Sequence, residues 1–182
     1  MIKYNKGIMI GIISIILVVV FVSGCTDSAN TDLTKTFSKQ GVSFNYPSDW
    51  FVMPYDNGSI STDAQVIGLV GPGTDLNYDL AIQKVPSSTI KQVADVTMEM
   101  DKLNYNATLI NETTTTINGM SANQIVYTEK DPEISDKKQK YSLYLIQKGS
   151  AVYTFQFRAY SVDNFDKYTE ISNKIMSTVK IS

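Results

Sequence analysis

The chain has 182 residues, a formal charge of −2, and 43% apolar and 10% aromatic residues, which suits one folded domain and is too apolar for a disordered chain. This balance, with Arg158 as the only arginine, argues against nucleic acid as a partner. With no histidine and a single cysteine, the chain is excluded from Ser-His-Asp and Cys-His catalysis, imidazole zinc sites, a histidine pH switch and internal disulfides.

The chain opens with Lys3 and Lys6, an apolar run from Ile8 to Val22, and then Val22-Ser23-Gly24-Cys25. A basic segment, an apolar segment and small residues before a cleavage point are the marks of an export signal. The last four residues resemble the lipobox of prokaryotic lipoproteins. That pattern has an aliphatic residue, two small residues that let the extended backbone enter the peptidase, and a cysteine whose thiol takes up diacylglycerol. The resemblance implies removal of residues 1–24 and lipid attachment at Cys25. At about 0.8 kcal/mol per buried methylene, two acyl chains make a firm tether. The competing reading is an uncleaved membrane helix, for which the run falls a little short of the roughly 20 residues that span a bilayer. Either way, residues from Thr26 onward face the outside of the cytoplasmic membrane, and the membrane is the first partner.

Residues 26–40 are rich in Ser, Thr, Asp and Asn and read as a tether, with Phe37 the exception. Val42, Phe44 and Tyr46 alternate with Ser43 and Asn45, the pattern of a half-buried strand, and Pro47 ends it. Residues 50–53 begin another strand before the turn signal Asp56-Asn57-Gly58. A short apolar strand follows at 65–70. Residues 78–85 alternate again, with Leu80 and Ile82 on one side, and stop at Pro86.

The period changes over residues 89–104, where Ile90, Val93, Ala94, Met98 and Leu103 predict a helix with Ser87 or Ser88 as its cap. A threonine-rich strand at 108–117 turns through Asn118-Gly119 into a partner at 120–129. Residues 141–147 and 152–160 pair across Lys148-Gly149-Ser150, and the second strand sets Tyr153, Phe155 and Phe157 opposite Val152, Thr154, Gln156 and Arg158. The last element, 163–179, carries Phe165, Tyr168, Ile171, Ile175 and Val179 on one helical stripe. Hairpins with one helix among them and one at the end predict an α+β domain whose antiparallel sheet is flanked by helices.

The stretch Gly41-Val-Ser-Phe-Asn-Tyr-Pro-Ser-Asp-Trp50 resembles the opening strand of PsbP-like domains, where an aromatic strand ends in Tyr-Pro and a Trp follows closely. The likeness extends through the helix near Ile90, the strand into Asn118-Gly119, the aromatic strand from Tyr153 to Tyr160, and the final helix ending in Val179-Lys180-Ile181. It implies a Mog1/PsbP-like fold over residues 41–182, after a signal peptide at 1–24 and a polar tether at 25–40. It implies little about activity, because that fold serves a photosystem subunit in plants, a regulator of a small GTPase, and lipoprotein modules in prokaryotes. The missing histidines also remove the imidazole metal ligands suggested for plant members.

Four local features invite chemistry. Glu129, Asp131, Glu133 and Asp136 crowd one loop, but without a calcium-loop pattern and among Lys130, Lys137 and Lys138 they read as a solvated hairpin loop. Residues 68–73 (GLVGPG) lack the spacing and the Lys-Ser/Thr of phosphate loops and read as a turn. Asn57, Asn106 and Asn111 begin N-glycosylation sequons, which signify only in a host with that pathway. Of the tyrosines, Tyr46, Tyr127, Tyr144 and Tyr153 fall at strand positions, whereas Tyr55 and Tyr78 beside turns are the interface candidates.

The expectation is a membrane-anchored extracytoplasmic lipoprotein that is not an enzyme, acting in protein binding or as an accessory subunit of an envelope complex. Cys25 is its lipid-attachment residue, and no catalytic, cofactor or metal residues are assigned. The alternative is a small-molecule or ion-binding receptor with a groove between sheet and helix, which a large, mostly apolar pocket supports and a filled core refutes. A hydrolase of paired carboxylates is less favoured and needs two carboxyl groups facing each other at roughly 5 to 9.5 Å.

Overall fold

Alternation in the aromatic stretch builds a strand, β2 (Val42–Tyr46), with Val42, Phe44 and Tyr46 buried and Ser43 and Asn45 half-buried between them. It is the centre of a three-stranded antiparallel sheet whose other members are β1 (Lys35–Lys39) and β10 (Lys180–Ile181). The computed structural model describes residues 32–53, 65–70, 78–130, 138–162 and 165–182. β1 occupies part of the stretch read as a tether. Phe37 is buried there and stacks on Phe44 with ring centroids 4.9 Å apart, because the two face each other in the β1–β2 register.

The larger sheet has seven antiparallel strands: β3 (Phe51–Met53), β4 (Gln65–Val70), β5 (Tyr78–Val85), β6 (Thr108–Ile117), β7 (Met120–Glu129), β8 (Gln139–Lys148) and β9 (Ala151–Ala159). Their spatial order is β3-β4-β5-β9-β8-β7-β6. The β6–β7 and β8–β9 hairpins form as their turn residues predict, with Asn118 and Gly119 both at positive φ.

Both faces of the central strands are covered. On one face, Leu80, Ile82, Phe155 and Phe157 pack with β2 and with α2 (Phe165–Thr178), and Phe44 meets Phe155 edge-on at 6.1 Å. Every residue of the predicted helical stripe, Phe165, Tyr168, Ile171, Ile175 and Val179, is buried in that layer. On the other face, α1 (Ile90–Tyr105) lies over β7 and β8, setting Val93 and Ala94 against Ile125, Leu143 and Leu145. The α+β architecture is therefore the one expected.

Two local readings differ. The cap of α1 is Thr89 rather than Ser87 or Ser88. Ser87 takes a turn conformation at φ +53°, while Thr89 stands three residues before Gln92 and closes a reciprocal capping box with it. Leu103, expected on the buried stripe, is 75% exposed. Ten residues at 3.6 per turn carry it about 80° around the helix from Val93.

Candidate functional site

The open concavity of the α1 face lies beside the helix, because α1 covers β7 and β8 and leaves β5 and β9 beneath its edge. Gln83 and Val85 of β5, Thr154 and Gln156 of β9 and Leu143 of β8 form the floor of a groove of about 540 Å³. Gln92, Val93, Val96 and Thr97 of α1 form its wall, and Ser87 and Ser88 close one end. The lining is amide, hydroxyl and aliphatic, and among the described residues none of it is titratable. Val96 and Met100, together with Leu103, continue the wall as an exposed apolar ledge at helical spacing.

Gln147 fixes the closed end. Its Nε2 donates to the carbonyls of Ser88 and Ala151, both at 3.1 Å, and its Oε1 accepts from Ile90 N–H at 3.2 Å. Ser88 N–H donates to Ser150 O at 3.1 Å, so the entry to α1 is tied to the β8–β9 turn. The helix ends at Asn106 in the left-handed region, where Ala107 N–H donates to Asp101 O at 3.1 Å.

Beyond the groove, strand register lines up Asp79, Arg158, Tyr141 and Tyr127 as one row across β5, β9, β8 and β7. Arg158 forms an ion pair with Asp79, lies over the Tyr160 ring at 4.4 Å, and shares Asp79 with the Tyr160 hydroxyl, which donates at 2.9 Å. Burial opposes the Arg158 charge, but the hydrogen bonds and charge of Asp79 outweigh it and move the pKa upward. Tyr127 and Tyr141 stack at 4.8 Å, and both phenols are pushed upward, foremost by burial. Burial pushes the carboxyl of the half-buried Asp101 up, with Tyr127 beside it acting the other way, and Tyr127 accepts from Gln156 Nε2 at 2.7 Å.

The residues singled out from the sequence do not meet here. Cys25, Asp131, Glu133, Asp136, Asn57 and Tyr55 lie outside the described residues, as do Gly71 to Gly73. Glu129, read as part of a solvated loop, instead closes β7 at 7% exposure, where its charge reaches Tyr141. Residues 68–70 are strand β4, Asn106 caps α1, and Asn111 sits on the exposed strand β6 at a register shift. Tyr46, Tyr127, Tyr144 and Tyr153 are buried sheet residues, as expected; Tyr78 begins β5. Among the described residues no group of three or more His, Cys, Asp or Glu could hold a metal, and no helix is long and apolar enough to cross a membrane.

The groove itself was not legible as a site. Its one sequence signal is the set of polar residues Thr154, Gln156 and Gln83 on strands whose opposite faces are strongly apolar.

The family model described as PsbP-like protein matches residues 9–177. Among solved structures, the chain is similar to cyanobacterial PsbP (CyanoP) from Synechocystis, at 13% identity and a TM-score of 0.62, over 87% of this chain and 96% of that one. It is similar to LpqN, involved in cell envelope biogenesis of Mycobacterium tuberculosis, at 16% identity and 0.56, over 81% and 90%. The Ran-binding protein Mog1p of Saccharomyces cerevisiae aligns at 8% identity and 0.58, over 81% and 94%. At such identities these likenesses carry the fold alone. No curated protein matches the chain.

Proposed function

This chain belongs to the PsbP-like protein family, and from that premise we propose that it is a lipid-anchored, extracytoplasmic binding protein without catalytic activity, acting on a protein partner or as an accessory subunit of an envelope complex. The observation that carries the reading is the lining of the groove. Acid, base and nucleophilic catalysis need groups whose protonation is tuned at the reacting centre, and the groove presents amides, plain hydroxyls and aliphatic side chains instead. In the polar row beyond it, Asp79 and Arg158 neutralise each other as an ion pair, and Tyr127 and Tyr141 are buried against each other. The anchor rests on Val22-Ser23-Gly24-Cys25, and LpqN, described as involved in cell envelope biogenesis, offers a fold-level parallel for the setting.

Mass spectrometry of the mature N-terminus tests the anchor: diacylated Cys25 is expected, and an intact chain with unmodified Cys25 overturns it. Cross-linking in membranes followed by immunoprecipitation tests the partner. One reproducible envelope protein is expected, and a protein that stays monomeric and alone counts against the accessory role.

A second reading, a small-molecule receptor, is favoured by the same groove. Its volume lies within the roughly 300–1,000 Å³ of ligand sites.

A further inference from the structure

We infer that the groove beside α1 takes an uncharged small molecule which presents a hydrogen-bond donor to Gln156 and an apolar body to the α1 wall. The inference rests on the reading of this groove as a binding rather than a catalytic site.

Two amides in the lining are oriented by their neighbours. Gln156 Nε2 donates to the Tyr127 hydroxyl oxygen at 2.7 Å, which commits the nitrogen end of the amide to the sheet. Its Oε1 is thereby assigned to the groove as an acceptor. Gln92 is fixed in the opposite sense: its Oε1 accepts from Thr89 N–H at 2.9 Å and Thr89 Oγ1 at 3.0 Å, and its Nε2 is left to donate at the rim. The floor thus asks for a donor and the rim for an acceptor, a pairing found in a carboxamide.

Charge is disfavoured for a separate reason. The lining holds no countercharge, so an ion entering it would give up hydration without a partner. Val85, Val93, Val96 and Leu143 supply contact for an aliphatic or aromatic body.

The test compares three molecules of one shape: naphthalene-2-carboxamide, its methyl ester analogue methyl 2-naphthoate, and the anion 2-naphthoate. Each is titrated into the isotope-labelled full chain in lipid nanodiscs, with empty nanodiscs as the blank, and amide shifts are followed by NMR. The carboxamide should move and saturate the amides of Gln83, Val96, Thr97 and Gln156. It should bind about tenfold more tightly than either analogue, the worth of one hydrogen bond to a desolvated acceptor. Thr97→Trp, which fills the groove, should abolish these shifts; Gln156→Leu should make carboxamide and ester equal. If Thr97→Trp fails to fold, the probe series and Gln156→Leu still decide. Shifts absent from the groove, equal affinity for the three probes, or preference for the anion would overturn the inference and leave the non-catalytic reading standing. Hydrolysis of the ester or carboxamide by the protein would overturn that reading as well.

Discussion

Arg158 and Asp79 stand directly opposite each other in the β9–β5 pairing, and both Nε and Nη2 of the guanidinium engage the carboxylate. The pair is largely withdrawn from water, with side chains 22% and 14% exposed. Removing one partner strands the other's charge, so Arg158→Met or Asp79→Asn should each cost about 3 kcal/mol in urea unfolding. Replacing both with Leu should cost much less than the sum of the singles. Arg158→Lys should fall between, since it keeps the charge but loses the planar fork and the stacking on Tyr160. Additive singles would refute a coupled pair.

Stability should fall at alkaline pH, and the buried tyrosines set the sign. Tyr127, Tyr141 and Tyr144 are all held above the ordinary tyrosine value of 10.0, with burial the first cause. Above that value the unfolded chain releases phenolic protons which the folded chain retains, so the unfolded state binds fewer protons and the unfolding free energy declines as pH rises. Each withheld proton is worth about 1.4 kcal/mol per pH unit. Between about pH 9 and pH 11, Tyr127→Phe should lose less stability than the parent, by about 1.4 kcal/mol. The urea midpoint at the two pH values measures it.

Thr89 and Gln92 satisfy each other at the start of α1, with Gln92 N–H donating to Thr89 Oγ1 at 3.3 Å and Thr89 N–H donating back at 2.9 Å. Thr89→Ala should cost about 1 kcal/mol, and Thr89→Ser should recover most of it. Gln92 Oε1 would keep the Thr89 N–H and lose the hydroxyl, so the alanine variant should leave carboxamide affinity in the groove nearly unchanged while lowering stability.

Gly41 and Gly119 share a backbone conformation, at φ +79° and +78°, but not a setting. A Cβ at Gly119 would meet nothing within 4 Å, whereas one at Gly41 would press on Ser182 O at 3.2 Å. Gly119→Ala should show the left-handed penalty alone, about 1 kcal/mol. Gly41→Ala should cost more. It should also speed hydrogen exchange at Ser182, whose N–H donates to Gly41 O at 2.8 Å. Equal costs would show that the C-terminal contact gives way freely.

The sequence by itself determined the elements and their classes. Alternation of Val42, Phe44 and Tyr46, the 3.6 period from Phe165 to Val179 and the Asn118-Gly119 turn each report whether a residue faces inward along its own element, and that information is local. The same locality determined the chemistry that is missing, because an absent histidine is absent in any fold. Tertiary structure alone decided the groove and the polar row. Gln83, Gln92 and Gln156 line one surface only because β5 and β9 pair in a particular register and α1 covers β7 and β8 instead. Asp79 and Arg158 are 79 residues apart in the chain. A shift of one residue in the β5–β9 pairing would send one strand's pair, Asp79 and Gln83 or Gln156 and Arg158, to the opposite face. Periodicity gives the face of each strand, but long-range packing against α2 on one side and α1 on the other sets which strands meet and where the helix leaves the sheet open.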